Sequence, residues 1–567
     1  MFSESDGSPQ EKARRQRSGS RDAAPGPAAV QRAPGSKRRP LARSRSGSPL
    51  PDRRQRSRSR DAAPGPAAVQ QAPGSKRRPL ARSRSGSPLP DETDWVGHLR
   101  GFLAANRLQL SEACRRRPLI VHGGFVGMGS HGQVLRLTGV SYQETCAAEP
   151  KSWAKHFLQG NRLMADHHFS DLAVMAQTAV PARGLCARCG VECEVPDERP
   201  DVFFAGFSCQ AFSTMRAANA RAVPPTAHAK YAALPLTVRY LKARQPRAAL
   251  LENTLGFGRV VCEGPARSPG GADSPTRARS GLQWLRDELQ DFYHTDWVQL
   301  DLQSWCNVKR PRYWIFLVHK DAGGPDVVQR ACELAAAIQE DRRQYKAADL
   351  RDYMRRPGSA AWARDVLPSH YVTSRPCRSS CPSDPEASEA KWRKQARERR
   401  AAWRAAGHPW HAAHPLAAAC LRGLSGTERE REVLEVFLLE VCHLRGLSPL
   451  DPQQLARAKV GLTADISQNL PWLRPAYDGG ARSGCGYTAG VYCTESKVYS
   501  FQDDRVLLPV ELLGSVGWVT PATAPRTEGL TSAQLQNLVG ECQALPCLAA
   551  ATWALLLAVW SEGSGSA

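Results

Sequence analysis

The residue with the clearest capacity for chemistry is Cys209, which follows the apolar run 202–205 and the turn residue Gly206. A buried strand that ends in a turn presents its next side chains in the crevice at the carboxyl edge of an α/β sheet. A cysteine in that position can act as a nucleophile through its thiolate. A lone cysteine after a strand is also a common structural feature, because Cys packs as a small hydrophobe. Cys209 is therefore a candidate nucleophile only if partners occur elsewhere in the chain.

The element that would place a cofactor near Cys209 comes earlier in the chain. Residues 118–125 predict a strand, residues 126–132 predict a turn containing Gly127 and Gly129, and residues 133–137 have helical character. Strand, glycine turn and helix form the cofactor-binding opening of a doubly wound fold, because closely spaced glycines let the backbone approach a ligand. Glycine turns also occur where nothing binds, so this piece needs support from the rest of the chain.

Two acidic residues follow the glycine turn. Glu149 ends the strand-like stretch 142–148, and an acid about 20 residues beyond such a turn commonly binds ribose hydroxyls. The alternative for Glu149 is an exposed carboxylate, the usual state of Glu. Asp171 follows a predicted helix at 152–159, where it could meet the base edge of the cofactor.

Further polar groups stand at the ends of later predicted strands. The buried run 246–251 leads into Glu252 and Asn253, and Arg310 and Arg312 enter the apolar run 313–318. Because the strands alternate with helical segments, such as 281–293, the sequence predicts an α/β fold.

Composition divides the chain near residue 92. Residues 1–92 are rich in Arg, Ser, Pro, Ala and Gly and contain residues 14–52 repeated almost identically as 53–91, an offset of 39. With almost no large apolar residues, this tail is expected to be disordered. It contains 21 Lys and Arg against 8 Asp and Glu, and so carries +13 of the net charge of +23. Basicity in both parts favours nucleic acid as a partner, although a basic tail can also serve solubility or targeting.

The number of cysteines and the N-terminal sequence indicate the cellular compartment. The 17 cysteines are an odd number and no signal peptide begins the chain, which favours free thiols in a reducing compartment. No apolar run reaches the ~18 residues of a membrane span, so no membrane partner is expected, and residues 545–560 predict a buried helix. The Lys-Arg-Arg clusters of the tail are consistent with a nuclear signal, and the nucleus is the expected location.

Cysteine clusters raise the question of a metal. Cys186, Cys189 and Cys193 have part of the spacing of a zinc site but lack a clear fourth ligand nearby, and structural zinc sites are nearly always four-coordinate. Loop thiols are the preferred interpretation, and the expected site contains no metal. Cys377 and Cys381 with His370 raise the same question more weakly.

Taken in chain order, these pieces resemble the cytosine-C5 methyltransferase family over roughly residues 118–320 and 460–560. Residues 125–130 are similar to its S-adenosylmethionine turn, and residues 206–213 to its catalytic Pro-Cys-Gln loop. Four later segments are similar to its Glu-Asn-Val motif, its paired arginines, its late Arg…Glu…Gly motif and its final cofactor motif: Glu252-Asn253, Arg310-Pro311-Arg312, residues 505–514 and residues 540–546. Six motifs in the family's order argue against chance.

The resemblance implies a doubly wound, Rossmann-like α/β domain with a smaller, irregular target-recognition domain. The chain then divides into four parts: the tail at 1–92, a cofactor and nucleophile part at 93–320, a target-recognition region at 321–490, and the C-terminal part of the catalytic domain at 491–567. The implied cofactor is S-adenosylmethionine, and the implied partner is DNA, with RNA left open, bound by a monomer. The implied catalytic residues are Cys209, Glu252, Arg310 and Arg312, and the implied cofactor-binding residues are Phe125, Gly127, Gly129, Glu149, Asp171 and Gly540.

The implied chemistry explains why these residue types belong together. C5 of cytosine is a poor nucleophile, but attack of the Cys209 thiolate on C6 converts the ring into an enamine whose C5 can take a methyl group. Glu252 would act at N3, where negative charge develops, with a pKa raised by burial. Arg310 and Arg312 would supply fixed positive charge to the base carbonyl or to phosphates. The base must be flipped out of a duplex for this to happen.

Three departures from the family pattern bear on efficiency. Ser208 replaces the proline before the nucleophile, which would loosen the loop. Residues 306–308 differ from the usual Val-Pro-Gln, and Glu541 stands where the family usually has Asn, so that a carboxylate would face the carboxylate of the cofactor. Two alternatives therefore stay open: the same chemistry on tRNA, and a decayed scaffold that only binds nucleic acid. The basic segment 391–400 is equally compatible with a helix on phosphates and with a solvated helix face.

Overall fold

A computed structural model describes most of residues 94–561. Within that span it leaves out these residues: 179–180, 214–227, 260, 263–278, 307, 345–346, 349, 355–384, 409, 417–427, 468–475, 478–486, 489–495 and 520–524. The predictions for the tail at 1–92, for its repeat, and for His370, Cys377 and Cys381 fall outside the described residues.

A seven-stranded sheet forms the centre of the fold, in the order β10-β11-β7-β6-β1-β2-β3. Its strands are β1 (Leu119–Gly124), β2 (Tyr142–Ala148), β3 (His167–Phe169), β6 (Val202–Ala205), β7 (Ala248–Thr254), β10 (Tyr293–Asp301) and β11 (Pro311–His319). All neighbours are parallel except β11, which runs antiparallel to both β7 and β10. The central strands β1, β6 and β7 are almost wholly buried, as expected for a sheet covered on both faces.

Alternate residues of each central strand enter two different cores. On β6, Val202 and Phe204 lie in one core and Phe203 and Ala205 in the other, because successive side chains point to opposite faces. Helices cover both faces, which confirms the predicted doubly wound α/β class. The first face carries α1 (Trp95–Ala105), α2 (Glu112–Arg116), α3 (Ser130–Thr138), α4 (Ser152–Gly160) and α8 (Pro325–Arg343), together with α12 (Pro509–Ser515), α13 (Ser532–Glu541) and α14 (Leu545–Trp560). The second face carries α5 (Leu172–Met175), α6 (Ala233–Arg244) and α7 (Gly281–Leu289).

The strand order reverses next to β1. The chain runs outward from β1 to β2 and β3, and then returns to place β6 and β7 on the other side of β1. A crevice opens outside the carboxyl ends of the strands at such a reversal, and ligands of open α/β sheets bind there. Gly124 and Ala205, the last residues of β1 and β6, are paired in register at this edge. The glycine turn and the cysteine loop therefore leave the sheet side by side.

A second, smaller core lies partly in the segment predicted as the target-recognition region and partly beyond residue 490, where its last two strands fall. It is built from α9 (Pro385–Ala405), α10 (Glu428–Leu444), α11 (Pro452–Lys459) and the sheet β12 (Thr463–Asp465), β15 (Val498–Ser500) and β16 (Arg505–Val506). Four short strands form separate hairpins: β4 (Arg183–Leu185) with β5 (Glu192–Glu194), and β8 (Val261–Cys262) with β9 (Arg279–Ser280). A further hairpin joins β13 (Ala476–Tyr477) and β14 (Tyr487–Thr488). Helix α8, which also falls within 321–490, packs against the central sheet instead.

The basic helix α9 is paired with the acidic helix α10. Arg399 contacts Glu440 at 2.7 Å, and Arg400 contacts Glu432 at 2.9 Å and Glu435 at 3.3 Å. All of these side chains are at least two-thirds buried. The two arginines are therefore committed to holding the smaller core together, and they are not available to phosphates.

The C-terminal segment is the most apolar part of the described chain. Ser532–Trp560 is long and apolar enough by composition to cross a membrane. An 18-residue window within it has a mean hydropathy of 1.8, yet 89% of that window is buried inside the fold. Helix α14 packs against α8 and α3. Residues 545–560 thus form the buried helix that their composition predicts.

Candidate active site

The loop that carries Cys209 is anchored from below by aromatic side chains. It leaves β6 at Ala205 and enters a 3-10 turn at Cys209–Ala211. Phe207 packs edge-on against Phe257 at 5.4 Å, and Phe212 packs edge-on against Phe257 at 4.8 Å, all three fully buried. Edge-to-face pairs of this kind stabilise beyond the area that they bury. The Cys209 side chain between these anchors is only half-buried, as a nucleophile must be.

Asn253 joins the cysteine loop to the neighbouring strand. Its Nδ2 donates a hydrogen bond to the carbonyl of Phe207 at 3.1 Å, and its Oδ1 accepts one from the backbone N–H of Thr254 at 2.9 Å. The side chain is fully buried. Sequence reasoning placed Asn253 in a motif but assigned it no role. The structure gives it one, because it fixes the loop two residues before the nucleophile.

Glu252 and Arg312 form a nearly buried ion pair on adjacent strands. Arg312 Nε lies 2.9 Å from Glu252 Oε1, and the two side chains are 11% and 12% exposed. In the antiparallel register of β7 and β11, Glu252 faces Trp314, so Arg312 is its diagonal neighbour on the same face of the sheet. The pairing orients the carboxyl group and leaves it in a poorly hydrated environment.

The electrostatics of Cys209 and Glu252 are coupled. Burial raises the pKa of the Glu252 carboxyl, and the positive charges of Arg312 and Arg310 lower it in part. Burial also raises the pKa of the Cys209 thiol, which Arg312 and Arg310 lower and Glu252 raises. A raised pKa at Glu252 favours the protonated acid, and the two arginines favour the thiolate at Cys209. The structure thus brings all four predicted catalytic residues within electrostatic reach of one another.

Arg310 differs from Arg312 in its contacts. It is buried, and its Nη2 donates hydrogen bonds to the carbonyls of Gly540 at 3.1 Å and Cys542 at 2.7 Å. Its backbone N–H donates to Asp301 Oδ1 at 2.8 Å. Arg310 therefore binds the C-terminal segment to the sheet at the site, and its charge acts on Cys209 and Glu252 from that fixed position.

The glycine turn is held by the predicted ribose-binding acid. Phe125, Gly127 and Gly129 all have positive φ angles, of 53°, 52° and 72°. The two glycines adopt such angles without strain. Glu149 Oε2 accepts a hydrogen bond from the backbone N–H of Gly127 at 2.8 Å, and its Oε1 accepts one from the backbone N–H of Lys151 at 3.0 Å. Each carboxylate oxygen can accept a further bond, so Glu149 supports the turn and retains capacity for hydroxyl donors.

Lys151 lies beside Glu541, the carboxylate that replaces the family's usual Asn. Its Nζ forms an ion pair with Glu541 and donates a hydrogen bond to Asn537 Oδ1 at 3.0 Å. Burial lowers the pKa of Lys151, and Glu149 raises it in part. The carboxylate that departs from the family pattern therefore meets an ammonium group, which neutralises it at the mouth of the crevice.

Two further residues border the crevice. Asp171 is exposed and caps α5, where its Oδ1 accepts a hydrogen bond from Ala173 N–H at 2.9 Å. Gln543 was missed by sequence reasoning. It packs over Gly206, where a side-chain Cβ would lie 3.2 Å from its Nε2, and that buried Nε2 has no hydrogen-bond partner among the described residues. No short-range pattern marks Gln543, because its contact with Gly206 spans more than 300 positions.

The late Arg…Glu…Gly motif lies in the structural core. Arg505 Nη1 and Nη2 each donate a hydrogen bond of 2.8 Å to the Glu511 carboxylate, and the two side chains are 7% and 0% exposed. A Cβ on Gly514 would meet Tyr353 Cδ1 at 2.5 Å, so only glycine allows that contact. The motif supports α12 beneath the site and adds no reactive group.

Comparison with known proteins gives similarities to solved structures. No protein-family model and no curated protein matches the chain. It is similar to the Dnmt2 methyltransferase of S. pombe, at 13% identity over 78% of this chain and 98% of that chain, with a TM-score of 0.36. It is also similar to the methyltransferase EhMeth of Entamoeba histolytica, at 11% identity, 77% and 98% coverage and a TM-score of 0.37. A third similarity is to a candidate DNA modification methyltransferase encoded within an E. coli prophage, at 13% identity, 78% and 100% coverage and a TM-score of 0.37. All three are methyltransferases, the class that the motifs resemble, and at these values a functional assignment rests on the residues of the site.

Proposed function

We propose that this chain is an S-adenosylmethionine-dependent cytosine-C5 methyltransferase that acts on DNA. The observation that carries the proposal is the position of Cys209 at the strand-order reversal, with the Glu252–Arg312 pair on the adjacent strands and in electrostatic contact with it. A half-buried thiol, a carboxyl group of raised pKa and fixed guanidinium charge are the groups that a covalent attack on a pyrimidine requires.

The glycine turn fits the proposed cofactor. A Cβ on Gly127 would meet nothing within 4 Å, so open space lies over the turn. Glu149 would hold the ribose of S-adenosylmethionine and Asp171 its base, and Lys151 would neutralise Glu541 so that it does not repel the cofactor's carboxylate. When bound, S-adenosylmethionine supplies an electrophilic methyl group.

The residues of the chain supply the activation of the base. The Cys209 thiolate forms a bond from Sγ to C6, and the electron pair displaced from the ring moves toward N3. Glu252 donates a proton or hydrogen bond there, and Arg312 holds its carboxyl group in place. C5 becomes the nucleophilic carbon of an enamine and takes the methyl group. Loss of the C5 proton to a base and departure of the thiolate then restore the aromatic ring and free Cys209.

DNA is the proposed substrate because of charge and the need for base flipping. The net charge of +23 and the basic tail favour a polyanion, and a base must leave its duplex to reach a nucleophile in a crevice. We place the smaller core around α9–α11 across this crevice as the target-recognition unit, and the protein in the nucleus as a monomer. The same chemistry on tRNA is the second candidate, which the Arg-Ser tail favours.

Trapping on matched oligonucleotides tests the proposal. A duplex DNA and a tRNA of known sequence, each carrying 5-fluorocytosine, are incubated with the full chain and S-adenosylmethionine. Fluorine cannot leave C5 as a proton does, so the covalent complex accumulates and survives denaturing electrophoresis. We expect a DNA adduct that Cys209→Ser abolishes and that peptide mapping assigns to Cys209.

Each other outcome has a defined meaning. An adduct with tRNA alone changes the substrate and keeps the chemistry. An adduct that persists in Cys209→Ser refutes the assigned nucleophile. Nucleic-acid binding without donor binding or methyl transfer favours a protein that only binds nucleic acid. Cys332→Ser is a matched control, because this half-buried free thiol lies on α8, away from the crevice.

A further inference from the structure

Four potential metal ligands converge where β3 meets the β4–β5 hairpin. Sγ atoms of Cys186, Cys189 and Cys193 and a ring nitrogen of His167 all lie within 4.8 Å of one another. The three cysteines lie on the hairpin, and His167 begins β3, an edge strand of the central sheet. His167 is thus the fourth ligand that the sequence alone did not reveal, since 18 residues separate it from Cys186.

The turn between the hairpin strands has the backbone geometry of a metal-binding loop. Sγ of Cys186 accepts a hydrogen bond from the backbone N–H group of His168 at 3.3 Å. Gly190 follows Cys189 with φ of 74°, and its N–H donates to the carbonyl of Cys186 at 2.8 Å. Backbone donors aimed at a sulfur stabilise the thiolate that coordinates a cation, and they orient it.

His167 provides an independent observation. Its Nδ1 is buried and has no hydrogen-bond partner among the described residues. Burying a polar nitrogen without a partner costs about 1–3 kcal/mol. Coordination of a cation through Nδ1 would give this nitrogen the partner that it lacks and remove the cost.

The base of the hairpin packs into the second core through Ala182 and Val195, but its turn is exposed. Strands β4 and β5 are three residues each, and Leu185 and Val191 at their ends are 67% and 60% exposed. An isolated two-stranded hairpin is at best marginally stable in water. Structural metals commonly hold such small elements in place.

We propose that His167, Cys186, Cys189 and Cys193 bind one Zn²⁺ ion in a closed tetrahedral site. Three thiolates and one imidazole are a usual structural zinc ligand set. Zn–S bonds of ~2.3 Å require ligand atoms about 3.8 Å apart, so a small contraction of the present cluster completes the tetrahedron. The ion fixes the hairpin to the first residue of β3, four residues before Asp171, and thereby supports the proposed cofactor side of the crevice. The zinc site itself does not depend on the proposed methyl transfer.

Metal analysis of the full chain tests the site. Protein purified under reducing conditions without added metal is analysed for zinc by mass spectrometry, beside Cys189→Ser, Cys193→Ser and Cys332→Ser. We expect Cys189→Ser and Cys193→Ser each to contain about one zinc per chain less than the parent, and Cys332→Ser to match it. The difference in zinc content between variant and parent decides the question, and the total content does not, because other cysteines of the 17 can also bind metal.

Cobalt substitution tests the ligand set without relying on variants that fold poorly. The parent protein loaded with Co²⁺ should show thiolate-to-cobalt charge transfer and tetrahedral ligand-field bands. His167→Cys should keep the ion and shift these bands toward those of a four-sulfur site. Zinc content equal in the parent and in both cysteine variants would overturn the proposal. So would a parent that contains no zinc, or one in which two of the three cysteines form a disulfide.

Discussion

Removing the amide of Asn253 should destabilise the fold and slow the attack by Cys209. Asn253→Ala deletes the hydrogen bond to the Phe207 carbonyl at 3.1 Å and the one from Thr254 N–H at 2.9 Å. The site is fully buried, so water does not replace either bond. The loop before the nucleophile then loses its link to β7.

The magnitude follows from the two groups left without partners. A buried donor or acceptor that loses its hydrogen bond costs about 1–3 kcal/mol. Because the Asn253 side chain is wholly inaccessible and Thr254 is only half-buried, we expect Asn253→Ala to lose about 2–4 kcal/mol of the free energy of unfolding. Displacement of the loop should lower the rate of adduct formation by roughly ten- to a hundred-fold.

Urea unfolding and 5-fluorocytosine trapping measure the two effects. Asn106→Ala is the matched control, because Asn106 Nδ2 also donates to a backbone carbonyl, that of Phe102 at 2.9 Å, but is exposed. Water replaces that bond, so the control should change the free energy of unfolding by less than about 0.5 kcal/mol. Equal losses in Asn253→Ala and Asn106→Ala would refute the reasoning from burial. A destabilised Asn253→Ala with an unchanged trapping rate would show that the loop does not depend on this link.

Three further outcomes are expected. Trapping by the parent should rise with pH as the Cys209 thiolate forms and fall as Glu252, its pKa raised by burial, loses its proton; Glu252→Gln should keep the rise and lose the fall in a pH–rate profile. Lys151→Ala should weaken S-adenosylmethionine binding by about 1 kcal/mol, roughly five-fold by calorimetry, and adding Glu541→Gln should restore it. Arg505→Met should destabilise by about 3–5 kcal/mol in thermal melts, because Glu511 is left as an unpaired buried charge, and adding Glu511→Leu should recover most of that loss.

The elements around Cys209 could be predicted from the sequence because their signals are local. A strand, a glycine turn and an acid at the end of the next strand lie within about 30 residues, the length of a βαβ unit, and the structure places Gly127 and Glu149 in direct contact. The apolar runs around residues 204 and 250 likewise identified buried parallel strands. Periodicity and turn residues carry such information within a single unit.

Contacts that join distant segments could not be predicted in the same way. Lys151 meets Glu541 across 390 positions, and nothing in either neighbourhood marks the pair. The basic pattern of α9 left two interpretations open, a helix on phosphates and a solvated face, and it did not indicate that Arg399 and Arg400 meet glutamates of α10. His167 could not be predicted as a ligand for the same reason, since only the pairing of β3 with the β4–β5 hairpin brings its ring close to the three cysteines. Contacts between distant segments depend on tertiary packing, which composition and motif spacing do not predict.

Ser208 is the departure closest to the chemistry, and its backbone suggests that the missing proline is a small loss. Its φ of −50° and ψ of 120° lie in the range that proline adopts, and its N–H donates no hydrogen bond within the described structure. Ser208→Pro should therefore fit without strain and stabilise by about 0.4–1 kcal/mol, because it restricts the unfolded chain. A stiffer loop should also trap 5-fluorocytosine faster. Ser208→Ala is the control, since it removes the hydroxyl without adding the ring. If Ser208→Pro loses stability while Ser208→Ala retains it, proline does not fit this loop and the reasoning is wrong. If Ser208→Pro keeps its stability but loses trapping, the loop must change its conformation during the reaction, and the serine provides that freedom.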